Sequence, residues 1–516
     1  MKGAISKISL QANFLFRIWK NFIFFIPCIW PNRSVKWKRM ERINHPGKDI
    51  LIGAGCTFLF LLFSFHVAVS QEEIGYSPSN YAGVQGLFLN PAKGCDSKIF
   101  LDVNLLGLDL FVHNNYVHYA AKDFYLWKNI STGFPELSDN TKPGYKYAQV
   151  VLNITGPSLH MSIGRHSIGL FTRARSYTSV KLELPLAKHI FEGFKYYPQL
   201  RQQYNLNDMY INSLTWAEYG LNYGYMFYQR NRTLMSGGIN IRYLTGINAI
   251  GVNVENLNYE VKDSTNLEIY NFSGQVQQAA PAFGSGVGWG LDLGFEYKHM
   301  LEDITRYRPN SRRGGCKRVD YKWKVGVSVL DIGYINFNKS ASYQDFQNRG
   351  STWYKYDSTG IKGYGGVDSL INARFNREGT VFKEPQFKAW LPLAASVQFD
   401  YNFENNFYIN ATASYGPRLG NNVRRGGLIA IVPRYERKRW EISLPLSLWD
   451  FQYPQFGIQL RLGNIFIIGS DRIMPLIYRS NVYGLDIYFH LKFSLYKNPA
   501  CKGRGGKKES ECPAYR

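Results

Sequence analysis

Trp216–Tyr228 reads WAEYGLNYGYMFY, and every second residue is oily: Ala217, Tyr219, Leu221, Tyr223, Tyr225 and Phe227 share one parity, Glu218, Gly220, Asn222 and Gly224 the other. An extended chain points successive side chains to opposite faces, so this is a strand with one greasy and one wet side. The pattern recurs in Leu391–Phe403, where Leu391, Leu393, Ala395, Val397, Phe399 and Tyr401 oppose Ser396, Gln398, Asp400 and Asn402, and again in Trp440–Leu448, Phe456–Leu462 and Leu485–Leu495. No charge interrupts the apolar side of any of these segments.

A soluble sandwich alternates in the same way, so the fold turns on what the oily side faces. Tyr and Phe number 37 and 34, and they crowd that side as interfacial girdles require. In lipid every backbone amide needs an internal partner, which strands provide only by closing into a barrel. The expectation is an all-β, antiparallel transmembrane barrel of the outer-membrane type, with about 14 strands and a range of roughly 12–16.

A leader supports export. Ile50–Phe65 (ILIGAGCTFLFLLFSF) is almost wholly apolar, follows Arg42 and Lys48, and precedes Ala68-Val69-Ser70, a small-residue cleavage site. The run is shorter than the roughly 20 residues a spanning helix needs. Cleavage is expected after Ser70, with residues 40–70 as signal peptide and 1–39 as the product of a start codon assigned too early, because Met40 stands where a signal peptide begins. The mature chain then divides into a lead-in (71–96), the barrel (97–496) and a basic tail (497–516). Its destination is the cell outer membrane.

The formal charge is +23, but residues 1–70 hold ten Lys/Arg against two Asp/Glu, about +8. The rest is scattered over turns and loops without a basic stripe interleaved with aromatics, which argues against nucleic acid. Outer-membrane lipid and anionic lipopolysaccharide are the fitting counterparts. Cys95, Cys316, Cys501 and Cys512 follow the leader without CxxC or zinc-site spacing, so no metal or other cofactor is expected. An oxidising periplasm permits a Cys501–Cys512 disulfide; two free thiols in a tail are the alternative.

Short connections at Gly164-Arg165-His166, Gln229–Arg232, Asn402–Asn405 and Tyr435–Lys438 read as periplasmic turns. The stretches near 120–145, 186–209, 262–285 and 341–386 read as extracellular loops, with a short helix within Leu186–Gln203.

Several blocks in order, from Asn80–Gly86 and Asn90-Pro91-Ala92 through LDVNLLGLDL, WAEYGLNYGYMF, SGGINIRYLTG, WGLDLGFEYK, VGVSVLDIGYINF, VPRYERKRWEISLPLSL, LRLGNIFIIGSD and GLDIYFHLKFSLY, resemble a Bacteroidota outer-membrane barrel family known only as a domain of unknown function. The resemblance spans about residues 75–496. A looser similarity reaches FadL-like and PorV-like barrels, which carry a comparable Asn-Pro-Ala before the first strand. That similarity implies a hatch in the lumen, here Asn90, Pro91 and Ala92, and a path for hydrophobic molecules. A disordered periplasmic lead-in is the other reading of this segment.

Glu218, Arg242, Asp292, Glu296, Lys298, Asp400, Arg461, Asp486, His490 and Lys492 fall on polar faces and are expected to line the lumen. They fit a selectivity field or polar-solute site, and equally a set of paired charges that stiffens the interior. His490 invites a catalytic reading, but no GxSxG, HExxH or helix-borne cysteine with partners accompanies it. Gly284–Gly290 alternates glycines into a strand with no helix after it, a small-residue stripe for close packing instead of a phosphate loop.

The expected role is therefore non-enzymatic: passive movement of a small, hydrophobic molecule across the outer membrane. The rival is a scaffold barrel that engages a periplasmic or secretion-system partner.

Overall fold

The computed structural model describes residues 73–501 except 122–128, 130–134, 193–196, 264, 312–317, 355–381, 419, 421–422 and 474–479. The expected leader and most of the tail lie outside the described residues.

Fourteen antiparallel walls close on themselves. In chain order they are β1 (Leu101–Asn114), β2 (Tyr145–Thr155 and Ser158–Ile163), β3 (His166–Glu183), β4 (Gln203–Arg230), β5 (Thr233–Val261), β6 (Asn266–Ala279 and Gly286–Met300) and β7 (Tyr321–Phe337 and Ala341–Tyr354). They continue as β8 (Phe382–Glu384, Phe387–Trp390 and Ala394–Asn402), β9 (Phe407–Tyr415), β10 (Leu428–Glu436), β11 (Trp440–Ser443 and Leu446–Trp449), β12 (Tyr453–Phe456 and Ile458–Leu462), β13 (Phe466–Ser470) and β14 (Gly484–Leu495). β1 bonds to β2 on one side and to β14 on the other, which removes the free edge.

The quoted strand shows why the sheet closes. Leu221 is 47% exposed and its neighbour Asn222 0%; Tyr219, Tyr223, Tyr225 and Phe227 join Leu221 outside, and Glu218 joins Asn222 inside. Exposed apolar side chains continue around the wall at Ile241, Leu293, Val327, Val397, Ile431, Leu462 and Phe493. A belt of this composition is stable only against lipid.

β4 and β5 have 28 and 29 residues, roughly 90 Å of extended chain, where an apolar band of about 25 Å needs far fewer. Along β4 the polarity of both faces inverts. Near the short-turn end the outward residues are Tyr219–Phe227 and the inward ones Glu218 and Asn222; near the long-loop end Asn205 and Asn207 face out while Leu206, Leu214 and Trp216 are buried. The strand leaves the lipid, and outside and inside exchange character.

This inversion corrects the loop expectations. Residues 203–209, 266–279 and 341–354 are strand, because pairing between β4, β5, β6 and β7 continues beyond the membrane band. The helix expected in Leu186–Gln203 is Leu184–Glu192, here α2. A second correction concerns Leu391, expected on the lipid side but 2% exposed: β8 breaks between Trp390 and Ala394, the Leu391 amide donates to the Gly333 carbonyl, and the shifted register turns the side chain inward.

The expected short turns occur between β2 and β3, β4 and β5, β8 and β9, and β10 and β11. The β6–β7 connection at that end is longer: Ile304 and Tyr307 pack with Cys95, Met226 and Leu234 beneath the lumen.

Candidate functional site

Residues 73–98 lie inside the barrel. Gly83–Gln85 forms a turn of 3-10 helix, Gly86–Leu89 the short α1, and Pro91–Gly94 a second 3-10 turn, in which the Asn90 side chain accepts from the Ala92 amide. So short a helical string satisfies few of its own backbone groups, and the wall provides the rest. The Ile74 and Gly75 amides donate to Asp471, the Val84 amide to Asp102 and the Asn80 amide to Glu436. In the other direction, Asn240 donates to the Leu87 carbonyl, Ser328 to Leu89, Asn222 to Pro91, and Lys492 to Tyr81 and Ala82.

Asn90 spans three strands, its Nδ2 within hydrogen-bond reach of the Phe295 carbonyl at 3.1 Å, the Val327 carbonyl at 3.4 Å and Gln398 Oε1 at 3.1 Å. The segment sits this close because the wall has glycine beneath it. A Cβ on Gly238 would stand 2.3 Å from the Pro91 carbonyl carbon, and one on Gly294 2.2 Å from Asn90 Oδ1. Gly284–Gly290, the stripe singled out in the sequence, does another job: Gly286 accommodates Ile335 and Phe337, and Gly290 the Arg242 guanidinium.

All ten expected lumen residues are buried, and each is engaged. Arg242 reaches Glu218 at 3.0 Å, Asp292 at 2.5 Å and Asp331 at 2.8 Å. Lys298 meets Glu296 at 3.2 Å and Asp96 of the plug at 3.4 Å. Asp400 accepts from Arg434 at 2.6 Å, Arg461 meets Glu441 at 3.1 Å, Lys492 meets Asp102 at 3.1 Å, and Asp486 accepts the Asp471 amide. His490 lies between Glu73 at 2.7 Å and Gln85 at 2.8 Å, both from the plug.

Sequence reasoning missed Arg175, Asp331, Arg425 and Arg434. Asp331 is the hub of the upper charge layer, taking Arg175 at 2.6 Å, Arg242 at 2.8 Å and Arg425 at 3.1 Å. Its φ of 59° marks a break in the β7 ladder that hides it from simple alternation. Arg434 was legible, standing on the inward parity of Val432 and Glu436. Between plug and charge layer a cavity of about 40 Å³, bordered by Glu73, Phe88, Asp109 and Arg173, has room for a few waters.

Above the charges the interior changes. Phe111, Trp216, Leu244, Ile335, Phe337, Leu428 and Trp449 form one buried apolar layer, into which Ile74 of the plug inserts. At the level of Phe88 one strand of the wall is interrupted. β2 breaks at Gly156-Pro157; there the Asn104 side chain donates to the Gly156 carbonyl, and Thr172 donates its amide to the Ser158 hydroxyl and its own hydroxyl to the Pro157 carbonyl. Phe171 turns inward there, edge-on to Phe88 at 5.0 Å, and also borders an apolar depression on the lipid side with Pro157, Leu170 and Tyr243.

The Cys95 thiol, in the plug, is free, and burial pushes its pKa well up, so it is a packing group. Cys501 is disulfide-bonded; Cys512 lies outside the described residues. The start of the tail is tied down, Asn498 donating to the Asn310 carbonyl and Arg318 to that of Tyr496.

A closed barrel with a lipid-facing belt and an internal plug is a transmembrane β-barrel of the outer-membrane type. Residues 91–471 match the family described as Family of unknown function (DUF5723), and the chain belongs to it. No curated protein matches in sequence. Among solved structures it is similar to the TodX deltaS2S3 mutant monoaromatic hydrocarbon channel (10% identity, TM-score 0.38, 80% of this chain and 94% of that one). It is also similar to a Pseudomonas aeruginosa FadL homologue (10%, 0.37, 83% and 98%) and to the Pseudomonas putida toluene transporter TodX (11%, 0.29, 82% and 94%). At these identities the likeness is one of fold alone.

Proposed function

We propose that this chain is a non-enzymatic, passive conduit that carries a small hydrophobic molecule across the outer membrane and releases it sideways through the wall. The observation that carries the reading is the buried apolar layer above the plug, in a position where a channel for polar solutes would present charge and water. Straight passage is obstructed by residues 73–98 and by the charge layer, both of which exact a desolvation cost from an apolar cargo. The interruption at Gly156-Pro157, with Phe88 and Phe171 inside and an apolar depression outside, offers the cheaper exit into lipid.

The test is uptake of N-phenyl-1-naphthylamine by liposomes carrying the protein. The native chain is expected to accelerate uptake, and paired cysteines replacing Phe88 and Phe171 to block it when oxidised and restore it on reduction. Uptake equal to that of empty liposomes sinks the proposal.

A second reading, a scaffold for a secretion or surface-assembly partner, draws on the extension of β4–β7 beyond the membrane band. Crosslinking in native membranes that captures a stoichiometric partner would favour it.

A further inference from the structure

The long-loop end of the interior holds a second, separate cavity of about 30 Å³. Its lining is aromatic: Trp449, Tyr453, Tyr147 and Tyr210 surround it together with the His113 imidazole, which stands 4.5 Å from the Tyr453 ring. Deep polar groups of the lining are already committed. Gln149 and Ser179 both donate to the Arg424 carbonyl, and the Arg424 guanidinium holds Asp450 at 2.5 Å.

His113 is the exception. It is 4% exposed, and Arg472 Nη1 donates to its Nδ1 at 2.7 Å. A guanidinium has no acceptor to offer, so Nδ1 carries the lone pair, the ring is neutral and its proton resides on Nε2. Burial lowers Arg472 only to about 10, so it stays charged and keeps the tautomer fixed at neutral pH. Among the described residues Nε2 has no hydrogen-bond partner. A buried donor left unmatched costs about 1–3 kcal/mol, a cost a bound acceptor relieves.

We infer that this cavity is a recognition site for a small aromatic molecule bearing one hydrogen-bond acceptor, its ring packed among Trp449, Tyr453 and Tyr147 and its oxygen accepting from His113 Nε2. As closed, the space admits a water or two, so a ring enters by displacing the β11–β12 turn, which borders the cavity at Asp450. That turn holds Asp450 at φ 47° and Phe451 at φ 57°, consecutive left-handed positions that cost little for glycine and more for these side chains. The turn is held at the mouth by the part-buried Arg424–Asp450 pair, so entry of a ring costs that contact. The inference rests on the reading of the upper interior as a cargo path and names the cargo's chemistry.

Acetophenone and ethylbenzene test it, being matched in size and differing in the acceptor. Binding to the full chain in nanodiscs is read by saturation-transfer NMR, with empty nanodiscs as the partition control. Acetophenone is expected to bind at least about tenfold more tightly than ethylbenzene. His113→Phe should abolish the preference, and Tyr453→Trp, which fills the cavity and leaves the histidine itself in the chain, should weaken both ligands. Equal affinities in the native chain, or a preference that survives His113→Phe, would overturn the inference, as would absence of binding. Because binding is measured without flux, a selective site in a chain that moves no probe would sink the transport reading and leave this one standing.

Discussion

The two halves of the barrel interior solve the same problem in opposite ways. Around the plug, inward side chains are charged or amide-bearing, and nearly all are paired with one another or with plug backbone. Above Asp331 a layer of Phe, Leu, Ile and Trp packs together, with polar side chains only toward its rim. The lower half is therefore specific and brittle, since each buried charge depends on its partner. The upper half is tolerant and greasy, held by area instead of geometry. A single strand, β4, contributes to both, passing from Trp216 to Glu218 in two residues.

The sharpest way to break the lower half is Asp331→Ala. It takes one carboxylate at once from Arg175, Arg242 and Arg425 in a confined space, and removing one member of a buried ion pair typically costs about 3–5 kcal/mol. The midpoint of urea unfolding, followed by heat-modifiable gel mobility in lipid vesicles, should fall accordingly. An unchanged midpoint would mean that Glu218 and Asp292 balance the layer without Asp331. In the upper half Leu428→Ala, at a residue 1% exposed, should cost about 2–4 kcal/mol through lost burial and an unfilled cavity. The contrast is sharper in the repair: Leu428→Met should recover most of the loss, whereas Asp331→Asn, which keeps the shape and removes the charge, should recover little.

How much of this was readable follows from the same division. In the lipid belt the solvent outside is oil, so parity alone separates Leu221 from Asn222, and the barrel, its approximate strand number and ten inward residues follow. Beyond the belt the outside is water. Asn205 and Asn207 then face out while Leu206 and Leu214 face in, and a search for oily outward faces reads strand as loop. Asp331 escaped for a local reason, because the ladder irregularity around it disturbs the alternation that would have flagged it. The seating of the plug depends on contacts between residues more than a hundred positions apart, such as Asn90 with Phe295, and no local pattern encodes them. The glycines at 238 and 294 were visible, yet nothing nearby in sequence announces that Pro91 lies over them.

The plug supplies the finest test of the contrast, since it is held by the lower half's method but ends in the upper half at Ile74. Asn90→Ala removes donors to the Phe295 carbonyl and Gln398 and the acceptor for the Ala92 amide, leaving buried partners unmatched at about 1–3 kcal/mol. The barrel wall bonds strand to strand without Asn90, so that loss should fall on the seating of residues 73–98 and barely on the wall. Hydrogen exchange at the Val84 and Ala92 amides should then quicken by roughly tenfold or more, while exchange within β4 and β5 stays as it was. Were the β4 and β5 amides to quicken in step, the plug would be part of the barrel's own core, and no gate could be built from it.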